Sequence, residues 1–234
     1  MPPPIEPDIK TGTADSILAG LWRQIKKELG VDDAKVESLI DSYTVVLCKN
    51  HPEERTQVRG NLRSELSKET MTWKAFMKGI KVLRAKRVEI AFVLHHVTLI
   101  STHTLVLDLQ ESDQSDEEAP KRNQLSDFFH NVMNDLGIDL GKFDKLLGGY
   151  MVRSKIPITT KNRTHLRGNL KKELLGPKLT WRSLIKGFNF LCVVKFEIRL
   201  KLFLRNLAPT EHHRVVVLND IEDFEEHNEE RIVL

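Results

Sequence analysis

Apolar residues at Ile17, Leu21, Ile25 and Leu29 recur every fourth position, which predicts a helix with one buried stripe. Val36, Leu39, Ile40 and Tyr43 predict a second helix, and Phe143, Leu146, Leu147 and Tyr150 repeat its pattern. Leu62 and Leu66, with Leu170 and Leu174 as counterparts, belong to a third. Trp73, Phe76, Ile80 and Leu83 form the apolar face of a fourth, copied by Trp181, Leu184, Phe188 and Leu191. Thr72 and Thr180 stand where N-caps belong, and a Leu-Gly stop precedes a further cap at Asp32 and at Asp139. The period then shortens. In "KFEIRLKLFL" Phe196, Ile198, Leu200 and Leu202 alternate with Glu197, Arg199 and Lys201, the signature of a half-buried strand, and "HRVVVL" supplies the return strand of a hairpin.

The same order is written twice. "RGNLRSELSKETMTWKAFMKGI" (59–80) and "RGNLKKELLGPKLTWRSLIKGF" (167–188) share 10 of 22 positions at an offset of 108. "ELGVDDAKVESLIDSY" (28–43) matches "DLGIDLGKFDKLLGGY" (135–150) at 107, so one residue slips inside "TVVLCKNHP", which reads as a loop. These spacings predict an α+β fold made by tandem duplication of a small module, about four helices followed by a β-hairpin. The modules span 15–110 and 124–218, with a disordered segment at 1–14, an acidic linker at 111–123 and an acidic tail at 219–234. Helix, turn, helix, hairpin is also the order of a winged helix-turn-helix. Gly79 and Gly187 fall inside the fourth helices, where glycine costs about 1 kcal/mol relative to alanine. Close packing against another helix or the hairpin explains them better than a ligand does.

The first hairpin differs from the second. Its outward positions are Ala91, Val93, His95 and Val97, so it is apolar on both faces and needs a second cover, from the other module or from a partner.

Charge sharpens the picture. The chain has 36 Lys and Arg, 33 Asp and Glu, and a net charge of +3. Residues 124–218 hold 17 cations and 7 acids, whereas 1–110 hold 16 and 14, and the tail holds one arginine and seven acids. A basic module beside an acidic tail points to an anionic partner or to contact between tail and module. The expected contact residues are Lys74, Lys78, Lys81 and Arg84 in the first copy, and Arg167, Lys171, Lys172, Arg182, Lys186, Lys195, Arg199 and Lys201 in the second. Few Asn, Gln or Arg stand ready for base edges, so phosphate-dominated binding to DNA or RNA fits best.

Catalytic chemistry is not indicated. Glu65 and Glu173 recur at equivalent positions, but no second acid or histidine recurs with them, which suggests structural ion pairs. His95, His96 and His103, or His212 and His213, form no metal set, because no Cys, Asp or Glu completes one. No phosphate loop, catalytic triad or CxxC motif is present, and no metal or cofactor is implied. Cys48 and Cys192 sit at non-equivalent places, which argues against a disulfide framework and for a reducing, cytoplasmic setting. No secretory signal is visible at the start, and no apolar run approaches the roughly 20 residues of a membrane span.

The expected function is a non-enzymatic binding protein that contacts nucleic acid through the second module. The alternative is a protein-binding regulator or inhibitor, of the kind used as viral or phage accessory proteins. It would dock a partner on Ala91, Val93 and Val97. Self-association through the hairpins is the third reading.

Overall fold

The computed structural model describes residues 13–109, 123–153, 160–205 and 207–218. Most of the expected start segment, the linker and the whole tail lie outside the described residues. The fold is mixed helix and sheet. Helices α1 (Ala14–Glu28), α2 (Asp33–Leu47), α3 (Arg55–Ser67) and α4 (Trp73–Val82) precede strands β1 (Ala85–His96) and β2 (Ile100–Asp108). Helices α5 (Gln124–Asp135), α6 (Leu140–Arg153), α7 (Thr160–Leu175) and α8 (Trp181–Phe190) precede β3 (Val193–Leu204) and β4 (Thr210–Val217). No helix among the described residues is long and apolar enough to cross a membrane.

Local signals set these boundaries. Asp32 accepts a hydrogen bond from the Lys35 amide, Thr72 from Ala75 and Thr180 from Ser183, each satisfying a helix-start donor. Gly30 and Gly137 adopt φ of +61° and +63°, the left-handed conformation that stops a helix. Arg84 and Cys192, also equivalent, end α4 and α8 at φ of 60° without being glycine, a strain of about 1 kcal/mol or more each. The loop expected at "TVVLCKNHP" begins later than its sequence suggests. Helix α2 runs on to Leu47, and within it buried Thr44 donates its hydroxyl back to the Asp41 carbonyl. Val45, Val46 and Leu47 ride on it exposed.

The strands form one antiparallel sheet in the order β2-β1-β3-β4. Its centre is the pairing of β1 with β3. Ala91 lies opposite Arg199, its own counterpart at the offset of 108. Val88 lies opposite Leu202 and Leu94 opposite Phe196, so the register is two-fold about that point. Val88, Ile90, Phe92 and Leu94 alternate onto the same face as Phe196, Ile198, Leu200 and Leu202, and all are buried beneath the helices. Among the described residues, no element covers the opposite face. The cover expected over the first hairpin is therefore absent there. The second hairpin lies beside the first, in plane.

The helices interlock across this centre. Helix α1 packs on α4 but also on α8 and β4. Trp73 and Trp181, equivalent residues, stack at 5.6 Å between ring centroids and 9° between planes. Trp181 Nε1 donates to the Ala14 carbonyl at 2.7 Å, tying α8 to the start of α1. The helical glycines serve packing. A Cβ on Gly79 would lie 3.0 Å from Leu66 and 3.1 Å from the Trp22 ring, and one on Gly187 would lie 2.6 Å from the Phe129 ring. Phe129 is fully buried and has no room to retreat.

Gly187→Ala is therefore expected to destabilise the protein by about 1–3 kcal/mol despite alanine's better helix propensity. Gly79→Ala should cost less, because its neighbours need to give by only a few tenths of an ångström. Urea midpoints of the two variants measure the order, and equal stability of Gly187→Ala and wild type would contradict the packing explanation.

Candidate anion-binding surface

The cations singled out in the sequence fall on different sides of the molecule, and most face an acid. On the helical side Lys74 and Lys81 are exposed along α4. Lys78 turns to Glu65 at 2.7 Å and Lys186 to Glu173 at 3.0 Å, so the recurring glutamates are ion-pair partners of the recurring lysines. Arg182 reaches Asp15 at 3.4 Å. Arg84 occupies the left-handed stop after α4. The strand cations lie on the uncovered face of the sheet. There Lys195 and Arg199 stand 3.9 and 3.0 Å from Glu197, and Lys201 stands 3.5 Å from Glu211. That face also carries Asp108 and Glu89 against Arg87, which leaves its fixed charges balanced.

The excess charge concentrates on α6 and α7. The sequences of α2 and α3 hold four cations and four acids; those of α6 and α7 hold eight cations and two acids. Individual exchanges explain the difference. Glu37 binds Arg63 with both oxygens and Asp41 holds Arg59 at 2.7 Å. The Arg63 hydrogen bonds draw the Glu37 carboxyl below its ordinary range. In the second half Asp144 replaces Glu37, but Gly148 stands in the place of Asp41, and lysines 145 and 172 replace Ser38 and Ser64. Asp144 alone meets both partners. Lys171 lies 3.3 Å from its carboxylate, and Arg167 donates to its backbone carbonyl at 3.2 Å. Lys145 and Lys172 are exposed. Of the expected contact residues, then, Arg167, Lys171 and Lys172 sit together on a net-positive surface, and Lys145 extends it. Lys145 stands out once the two halves are laid side by side, because only the second has a cation there.

Beside this surface the turn between β1 and β2 meets the joint between α5 and α6. They flank an open cleft of about 360 Å³ lined by Leu99, Leu136, Ile138, Leu146 and Leu191, with His96, Lys142 and Lys145 as its polar residues. Burial pushes His96 below its ordinary range, against the pull of its hydrogen bond with the Leu191 carbonyl. Val97, expected on the outer strand face, stands instead in the exposed turn, beyond the end of β1. Ala91 and Val93 do lie on the uncovered face, but Val93 is only 6% exposed between Thr102 and Glu197 on its flanking strands.

The histidines have acidic partners that the hairpin sequences alone did not reveal. His103 Nδ1 lies 3.0 Å from Asp135 at the end of α5, and His212 Nδ1 bonds Glu28 at the end of α1. Both histidines are buried and occupy the same register, opposite Phe92 and its counterpart Leu200. Each joins the outer strand of one half to the first helix of the other. A signal was present in the sequence. Glu28 and Asp135 are acids kept in both copies at a helix C-terminus, where the helix dipole disfavours them. The described residues offer one group with metal-ligand proximity, His51 with Glu53 and Glu54, all exposed.

Glu197 is the most perturbed carboxyl of the uncovered face. Burial disfavours its charge, but hydrogen bonds from Arg199, His213 and His95 outweigh this and hold its pKa at about 2. The stabilisation is present above the unfolded value near 4.5 and is lost as pH falls through about 2. Acidification from pH 5 to pH 2.5 should thus cost wild type up to about 2–3 kcal/mol more than Glu197→Gln, measured by urea unfolding at both pH values. Parallel losses in the two proteins would show that the network does not hold the carboxylate.

No protein-family model, no curated protein and no solved structure matches this chain, so its functional interpretation rests on the chemistry of these residues.

Proposed function

We propose that the protein is a non-enzymatic binding protein that engages the phosphate backbone of nucleic acid through the α6–α7 surface. The observation that carries this reading is the asymmetry between two otherwise matching helix pairs. Where α2 and α3 neutralise their own charge, α6 and α7 leave Lys145, Arg167, Lys171 and Lys172 with one carboxylate, Asp144, among them. A charge excess on one face, at matched architecture, is what a polyanion exploits by releasing its counterions. Three of its four cations are lysines, and its one guanidinium, Arg167, already donates to the Asp144 carbonyl, so binding depends weakly on sequence. The two halves fit a tandem duplication, in which the second copy diverged in charge while keeping its packing. A winged-helix mode, with α4 or α8 presented to a groove, has less to support it: Lys78 and Lys186 are held by glutamates, and the hairpins are joined edge to edge.

Docking of a protein partner on Ala91, Val93 and Val97 has less surface to use, since Val93 is buried and Val97 lies off the sheet. Self-association through the hairpins would use the outer edges, β2 and β4, or the uncovered face of the sheet.

The test is titration of a labelled oligonucleotide of mixed sequence at two salt concentrations. Lys145→Glu with Lys172→Glu should weaken binding about equally for all sequences. The same pair should flatten the dependence of log Kd on log salt by roughly one unit for each phosphate that is no longer neutralised. Lys74→Glu with Lys81→Glu should change it less. If wild type does not bind at low salt, or if the two double variants bind alike, the α6–α7 surface is not the site.

A further inference from the structure

The cleft beside α6 asks for a ligand that the phosphate backbone does not resemble. Its floor is aliphatic and its charged residues are two lysines, Lys142 and Lys145. Lys142 already donates to the Gly137 carbonyl at 2.8 Å, which fixes its ammonium at the rim with donors to spare. A bare polyanion would leave the leucines in water, and a purely apolar ligand would strand the ammonium groups. The matching chemistry is a short segment in which apolar side chains alternate with carboxylates.

The chain carries such a segment. Residues 219–234 read "NDIEDFEEHNEERIVL", with seven acids to one arginine, and with Ile221 and Phe224 set among Asp220, Glu222, Asp223, Glu225 and Glu226. Topology delivers it to the correct end of the sheet. Val217, the last paired residue of β4, lies opposite Lys195, which lies opposite His95, next to the His96 that lines the cleft. Two strand spacings, about 10 Å, separate β4 from β1 there. Phe224 lies six residues beyond Leu218, an extended span of up to about 20 Å, which covers that separation. Tethering also holds it near the millimolar range of effective concentration, where weak contacts are occupied.

We propose that this cleft is the docking site for the chain's own residues 219–234, with Phe224 on the aliphatic floor and its flanking carboxylates on Lys142 and Lys145. Docked there, the segment places negative charge on the α6 side of the cationic surface and competes with an anionic partner. That regulatory consequence rests on the nucleic-acid reading above; the docking itself does not.

The experiment is carbodiimide cross-linking of the full chain, at low concentration and without nucleic acid, with peptide mapping of the monomer. The ion pairs Lys78–Glu65 and Lys186–Glu173 serve as internal controls, at 2.7 and 3.0 Å. The expected result is a link from Lys142 or Lys145 to an acid between Asp220 and Glu226. Phe224→Ser should lower its yield roughly tenfold, as loss of a buried aromatic anchor does, while leaving the controls unchanged. A second arm mixes heavy- and light-isotope chains, and the link should form within single chains. Control links without tail links overturn the proposal. So do tail links to other lysines, links only between chains, or a yield indifferent to Phe224→Ser. Because no nucleic acid is present, failure here is separate from failure of the oligonucleotide titration.

Discussion

The antiparallel pairing of β1 with β3 is the contact on which the rest of the molecule depends. A lone two-stranded hairpin is marginal in water, and each half supplies only one. Joining the two along their inner edges makes a four-stranded sheet against one face of which α1, α4 and α8 pack. Because Ala91 meets its own counterpart Arg199, the register brings equivalent groups together. Trp73 and Trp181 can then stack, and α1 lies over α8 and β4. The buried His103 and His212 each find an acid from the opposite half at one helix end. Removing either acid would leave a buried histidine nitrogen without its partner, whereas the acids themselves reach solvent.

Local structure was legible in the sequence because its causes are local. Thr72, Thr180 and Asp32 cap the helices they were expected to cap, and Phe196, Ile198, Leu200 and Leu202 line the buried face that their alternation predicts. Gly79 and Gly187 were correctly read as packing residues. The joint between the halves was not legible. The sequence asked for a cover over the first hairpin from the other module or a partner, whereas the other module's hairpin pairs with it in plane and the helices bury one face of both. Nor did it show that the outer face of β1 would go without a covering element. Alternation shows which residues share a face, but a neighbour in plane and a cover above demand similar residue types. The acids that meet the histidines were missed for the same reason, since they come from helices about 30 and 180 residues away in sequence.

For the surface, the sequence located the basic half but not which of its cations face acids. Net charge counts every lysine equally. The fold separates Lys186, Lys78, Lys195 and Arg199, which answer acids nearby, from the α6–α7 group, where Gly148 and two added lysines leave the balance open. A near-symmetric scaffold with unsymmetric charge keeps one folding solution while confining the excess of positive charge to one end. It also sets that excess beside an amphipathic cleft, within reach of the chain's own acidic residues.

The central claim is that β1–β3 pairing makes the two halves one cooperative unit. Native-state hydrogen exchange at rising low denaturant tests it most directly. Cooperative pairing predicts that the amides of β1 and β3 merge into a single opening with the free energy and denaturant slope of global unfolding. Exchange of β3, with α8, through an opening that leaves β1 and α4 protected would contradict it.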